Sequence, residues 1–410
     1  MTATMTPVQP RAVLRQRRLP DGAAFVLLAS VIVFFLAASS APTPLYGTYQ
    51  QMWGFSPIMT TIVFGTYALA VLVALLFVGR LSDHIGRRPV LLAAIAAQLP
   101  AMVLLATASG VGDLLIARVL QGLAIGAAAG AVGAGLLDLS AGRGQFANSL
   151  AAPIGTASGA LVAGLFVQFL PAPTHLIYLV LLGVFAVQFL GVLAMRETVT
   201  AKPGALASLR PEFGVPARAR RPLFIAIPAL VAGWSLAGLY GSLAPSVVHQ
   251  LAHSKSLLLG GLPLFAAAGA GAVTIAVSQS RVPAQLMRFA TLALAVGTGI
   301  TLLGIQVESL TVFFLGSVIA GTGFGASFQA SIRLVVPLAH AHERAGVLSV
   351  LYTVAYLAMG LPSVAAGWLV VNEGGLLQTT REYAGFVIVL AALAFVGLMR
   401  HERRTADALA

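Results

Sequence analysis

Apolar residues in this chain neither alternate with polar ones nor keep to a single helical face. They run on almost uninterrupted, in blocks of Ala, Leu, Val and Gly, and each block ends at a short polar link. A segment that is apolar on every side has no face to turn toward water. At about 20 residues, such a block matches the ~30 Å of hydrocarbon that a membrane helix must cross. A helix is also the only lone segment that satisfies its own backbone in lipid, and a strand barrel would show weak alternation over about ten residues instead. The pattern predicts spans over 23–46, 57–78, 89–108, 113–137, 148–170 and 176–195. It predicts six more over 223–247, 256–278, 289–307, 310–336, 345–371 and 383–399. One link stands apart: 196–222 carries Pro203, Pro211, Pro216 and Pro222 among many charges and reads as a solvated hinge.

The expected architecture is all-α and polytopic, with twelve transmembrane helices in two six-helix bundles. A basic tail is expected over 1–22, bundles over 23–196 and 222–399, a linker over 197–221 and a second tail over 400–410. The first block ends in Ala37-Ala38-Ser39-Ser40-Ala41, as a cleaved leader can. It is longer than the roughly 7–15 residues of a leader core, so it is read as the first span.

Composition and charge sharpen this picture. Charged residues make up 9% of the chain and hydrophobic ones 59%, against about 25% and roughly 45–50% in soluble domains. So few charges cannot coat a water-soluble surface of this size. Cysteine is absent, which excludes a disulfide framework, a thiolate metal site and a cysteine nucleophile. The net charge of +12 would suit nucleic acid, but its placement does not. With a cytoplasmic N-terminus, the inner side holds Arg11, Arg15, Arg17, Arg18, Arg80, Arg87, Arg88, Arg143, the basic linker, Arg281, Arg288, Arg344, Arg400, Arg403 and Arg404. The outer side holds Lys255 and Arg381. So lopsided a split is the positive-inside signal, with anionic lipid a further partner, and it puts both termini in the cytoplasm. Lys202 and Lys255 are the only lysines, an arginine-rich usage that points to a GC-rich bacterial genome and so to the bacterial plasma (inner) membrane.

The two halves also echo one another. Pro44 corresponds to Pro245, Arg80 to Arg281, Arg143 to Arg344, and Gly122 and Gly126 to Gly321 and Gly325, each pair in the same topological place. Repeated six-helix halves are how many carriers build two bundles around a midplane site and rock them for alternating access.

Three motifs carry a family resemblance. The link after the second span, Gly79-Arg-Leu-Ser-Asp83-His-Ile-Gly86-Arg87-Arg88, has a Gly for a tight reversal, an Asp able to meet a helix N-terminus and an Arg pair able to clamp carboxylates across the seam, with Asp138 a candidate partner for Arg87. The fourth span reads Arg118-Val-Leu-Gln121-Gly122-Leu-Ala-Ile-Gly126, and Gly122, Gly126 and Gly130 make a flat packing ridge. The fifth holds Gly155-x-x-x-Gly159-Ala160-Leu-Val-Ala163-Gly164 close to Pro153, echoed by Gly360, Pro362 and Gly367 in the eleventh. Together these resemble the major facilitator superfamily, and most of all its bacterial twelve-span drug–proton antiporters. The chain departs from their pattern at His84, where an Arg is usual, and at Ala160 and Ala163, where a Pro and a Gly are usual.

The resemblance implies a central path lined by the first, fourth, seventh and tenth spans. Candidates there are Phe34, Arg118, Gln121, Trp234, Tyr240, Phe328 and Gln329, with Tyr67, Tyr352 and Tyr356 from neighbouring spans. Arg118 has two readings: it faces that path, or it snorkels to the outer surface a short way along its helix. No Asp, Glu, His or Lys falls mid-span, so the proton coupling implied by the resemblance lacks an obvious buried carrier. No nucleotide loop or metalloprotease motif is present, and the chain is expected to be no enzyme and to use no cofactor or metal. The expectation is a monomeric secondary transporter exporting small organic molecules. A metabolite carrier (for a sugar, amino acid or organic acid) or uncoupled facilitator is the alternative, and a non-transporting membrane receptor a remote one.

Overall fold

The computed structural model describes residues 19–254, 256–340 and 342–407. Arg11, Arg15, Arg17 and Arg18 of the basic tail, and Lys255, lie outside the described residues, as do the side chains of Arg403 and Arg404. The described chain is helical and has twelve helices long and apolar enough to cross a membrane. We label them α1 (Asp21–Ser40), α2 (Pro57–Val78), α3 (Arg87–Ala106), α4 (Val111–Leu139), α5 (Ala141–Phe169) and α6 (Leu176–Ala194). The second half holds α7 (Ala217–Ser242), α8 (Leu258–Val277), α9 (Pro283–Gln306), α10 (Leu310–Val335), α11 (Arg344–Asn372) and α12 (Gly375–Asp407).

All twelve predicted spans are present, but several helices overrun them. Ser140 alone separates α4 from α5, and α12 continues to Asp407 through the stretch expected to be a tail. Arg381, expected in a link, sits in the second turn of α12. A helix keeps its hydrogen bonds after leaving lipid, so apolarity marks where it crosses and not where it ends. The first span falls short for the opposite reason. Pro42 and Pro44 interrupt α1 at Ser40, and the chain resumes as a 3-10 turn, Thr43–Leu45, and a short helix, Tyr46–Trp53.

The echo between halves becomes an echo of packing. In the first half α2 packs on α4, α3 on α4 and α6, and α1 on α5. In the second α8 packs on α10, α9 on α10 and α12, and α7 on α11. Glycines permit the closest pairs. A Cβ at Gly126 would stand 2.6 Å from the Val71 carbonyl oxygen of α2, and one at Gly321 would stand 2.6 Å from Ala267 Cα of α8. Gly155 and Gly159 of α5 meet α1 at Val33 and Ala37.

The halves meet through α2 against α11 and α5 against α8. The closest approaches lie toward one face, which we call the far face: Gly65 to Val364, Gly367 to Thr61, Gly261 to Ala160 and Gly164 to Leu258. The opposite face carries the linker between α6 and α7, and we call it the linker face.

Candidate functional site

On the linker face, the turn between α2 and α3 is tied down from three sides. Arg87, 7% exposed, donates to Ser82 Oγ (2.8 Å) and to Asp83 one turn earlier, and through Nε to Asp138 Oδ2 at the end of α4 (3.2 Å). The expected Arg87–Asp138 pairing is therefore present, though both its carboxylate partners belong to the same bundle as Arg87. The arginine pair does not clamp across the seam. Arg88 donates to the Leu193 carbonyl of α6, and the ion pair that reaches out of the bundle is Arg80 with Glu212 of the linker.

The fastening that sequence reasoning missed is Glu197. Its carboxylate accepts the backbone N–H of Arg87 (2.8 Å) and Arg88 (2.9 Å), the first amides of α3, and those of Thr198 and Val199 as well. Helix N-termini carry unpaired N–H groups and partial positive charge, so a carboxylate there caps and stabilises the helix. Gly86 makes room for it. Its φ of 104° and ψ of 157° are open to glycine alone, and a Cβ would stand 2.5 Å from Glu197 Oε2. His84 joins the strap, its carbonyl accepting from Lys202 N–H (2.8 Å) and its Nδ1 lying 3.2 Å from the Pro203 carbonyl oxygen. The linker thus rides with the first bundle as far as Pro203. Farther on it meets the second, where Gly214 touches Gly346, and just inside α7 Arg218 pairs with Glu343. Glu343 also accepts the His340 N–H, and that bond, helped by Arg218, holds its carboxyl below the usual carboxylate range.

Deeper in the first bundle, Arg118 and Gln121 repair the break in α1. Pro42 has no N–H to return to the Ala38 carbonyl, and Gln121 Nε2 fills that gap at 3.1 Å. Arg118 donates to the next carbonyl, Ser39, at 2.7 Å, to Gln121 Oε1 at 3.0 Å and to the Tyr46 hydroxyl just past the break. Its guanidinium lies 5.4 Å from the Tyr67 ring centroid and 5.7 Å from that of Tyr46. At 1% exposed, Arg118 does not snorkel to the surface. A cation beside the carbonyl end of a helix is favourable, which helps to hold this buried charge without a carboxylate.

The remaining cavity candidates separate into three groups. Trp234 of α7 packs on Phe328 (5.3 Å between centroids) and Phe324 of α10, and on Tyr356 of α11 (4.9 Å). Tyr352 adds to the cluster through Phe328 (5.8 Å). Trp234 and Tyr356 also touch the core of the first bundle, where Phe34 and Tyr67 pack, so these rings form a seam shared by both halves. The indole Nε1–H of Trp234 is buried without a partner. Tyr240 lies elsewhere, enclosed among α7, α9 and α10 with its hydroxyl on Ser317 (2.7 Å) and Thr301 (3.3 Å). Gln329 accepts from Ser278 Oγ (2.9 Å) and pins the end of α8.

The family profile of the Major Facilitator Superfamily matches residues 26–362. The chain belongs to that superfamily. A crystal structure of the human organic anion transporter MFSD10 (TETRAN) is similar in fold, with a TM-score of 0.64 at 17% identity. The match covers 92% of this chain and 100% of that one. No curated protein sequence matches the chain. Membership of the Major Facilitator Superfamily makes this a multi-pass membrane transporter. The twelve helices, whose main pairings recur in both halves, are the two-bundle form of that fold.

Proposed function

We propose that this transporter carries small amphiphilic organic solutes by rocking its two bundles about the aromatic seam, and that it works as an exporter. The observation that carries the reading is Trp234, whose unpartnered indole N–H sits among Phe324, Phe328 and Tyr356 where the bundles meet. Aromatic faces hold the apolar body of a solute, and a buried donor without a partner favours one that brings a hydrogen-bond acceptor. Among the described residues the carboxylates lie in links or within about two turns of a helix end, which disfavours a chamber built for cations. Charge placement supports a bacterial plasma (inner) membrane with the linker face and both termini cytoplasmic. Closure at the far face then corresponds to an inward-facing state.

Proton antiport rests on the resemblance to the drug–proton antiporters. The lack of a mid-span carboxylate among the described residues favours a second reading, an uncoupled carrier of an anionic or zwitterionic metabolite. Flux in proteoliposomes with and without an imposed pH gradient separates the two. Uptake of amphiphilic acceptor-bearing solutes that accelerates with the gradient supports the first, and gradient-independent flux supports the second. Flux in Trp234→Leu equal to that of the native protein refutes the seam as the binding surface.

A further inference from the structure

We propose that Gln168 is a positioning residue of the transport cycle: a latch whose side-chain carbonyl holds the far face closed by capping α8. Among the described residues, and leaving the linker aside, every direct hydrogen bond between the two bundles ends on one atom, Gln168 Oε1. Gln168 is the penultimate residue of α5, in the first bundle. It accepts from Ser256 Oγ (3.0 Å) and Leu257 N–H (2.9 Å), and Leu258 N–H approaches at 3.5 Å, the edge of bonding range. These donors open α8, in the second bundle, and the first amides of a helix have no acceptor within it. Around these bonds α5 and α8 meet through apolar and backbone contact, with Gly261 against the Ala160 carbonyl and Gly164 against Leu258.

The arrangement has the properties of a latch. It is exposed, so water can replace the glutamine when α5 and α8 part, and the bonds cost little to exchange. It is local, because separating the bundles at the far face must break all three bonds together. It also has a defined sign. A carboxylate at the same place would meet the positive end of α8 and tighten the closure, whereas an apolar side chain would leave the α8 amides to water. The inference holds whatever solute is carried and in whichever direction.

The test uses the full chain, which has no cysteine, so that two introduced cysteines can be spin-labelled without background. Thr107→Cys with Val307→Cys reports the far face, and Ala141→Cys with Ser280→Cys the linker face. Distance distributions are recorded by pulsed electron resonance in nanodiscs. Gln168→Leu is expected to raise the ratio of far-face-open to far-face-closed molecules about tenfold, the scale of two or three modest hydrogen bonds. Gln168→Glu is expected to lower it, with reciprocal changes at the linker face. Unchanged distributions in both variants, or an opening of the far face in both, overturn the proposal. Gln168 then only caps α8.

Discussion

Gly86→Ala should damage the α2–α3 turn through Glu197 as much as through its own backbone. The φ and ψ of Gly86 lie where an L residue costs about 1–3 kcal/mol. Its new Cβ would also displace the Glu197 carboxylate from the Arg87 and Arg88 amides. Two such bonds to a half-buried carboxylate contribute about 2 kcal/mol together, the size of a good helix cap. Gly86→Ala then costs about 4 kcal/mol and Glu197→Ala about 2, while the double variant costs about 4 and not 6, because one cap can be lost only once. Hydrogen exchange at the Arg87–Arg88 amides, read by mass spectrometry on the purified protein, reports local opening directly. Glu197→Ala should speed it about 30-fold in the native background and scarcely at all beside Gly86→Ala. Equal acceleration in the two backgrounds would falsify the claim that Gly86 is there to admit Glu197.

Other residues give sharper contrasts. Asp83 is 53% exposed at its side chain and Asp138 31%, so Asp83→Asn should cost under about 1 kcal/mol and Asp138→Asn about 1–2. Both should insert normally and transport poorly, as thermal unfolding and flux would show; full flux in either argues against a working latch at this turn. Arg118→Lys keeps the charge but cannot reach Ser39, Gln121 and Tyr46 together. It should reach the membrane at native levels with transport down about tenfold, and native flux would show that the α1 break needs no such clamp. Glu343 titrates below the usual carboxylate range in the folded protein, so its bonds are fully present above the unfolded value and fade as pH falls through the folded one. Protection of the His340 amide, its exchange rate corrected for the intrinsic pH dependence, should therefore fall on acidification, and Glu343→Gln should show the lower protection already at neutral pH.

The number of helices was legible in the sequence because lipid imposes it: every crossing needs its own apolar block. Helix ends were not, since α5 from Ala141 and α12 to Asp407 continue where no hydrophobic signal marks them. Of the candidate residues, those with side-chain partners were the readable ones, as Arg87 and Asp138 illustrate. Arg118 stayed ambiguous because two of its neighbours in the α1 break, Ala38 and Ser39, are used through their carbonyls, which every residue has. Pro42 and Pro44 were the one visible hint that those carbonyls would need outside donors. Glu197 looked like any charge after a span, and its role appears only once the fold brings it over the α3 amides.

The distribution of polar bonds itself bears on mechanism. Arg87 with its carboxylates, Arg118 with the α1 break, and Tyr240 with Ser317 all act within one bundle. Between bundles the described residues offer apolar contact, glycine seams and the single carbonyl of Gln168. A transporter must part this interface in every cycle, and each buried polar bond broken without replacement would add about 1–3 kcal/mol to the barrier. Bundles stiffened within and weakly joined across can move as bodies on the millisecond scale that carriers require. A buried ion pair across the α2–α11 seam would be the costly exception, and none occurs there among the described residues.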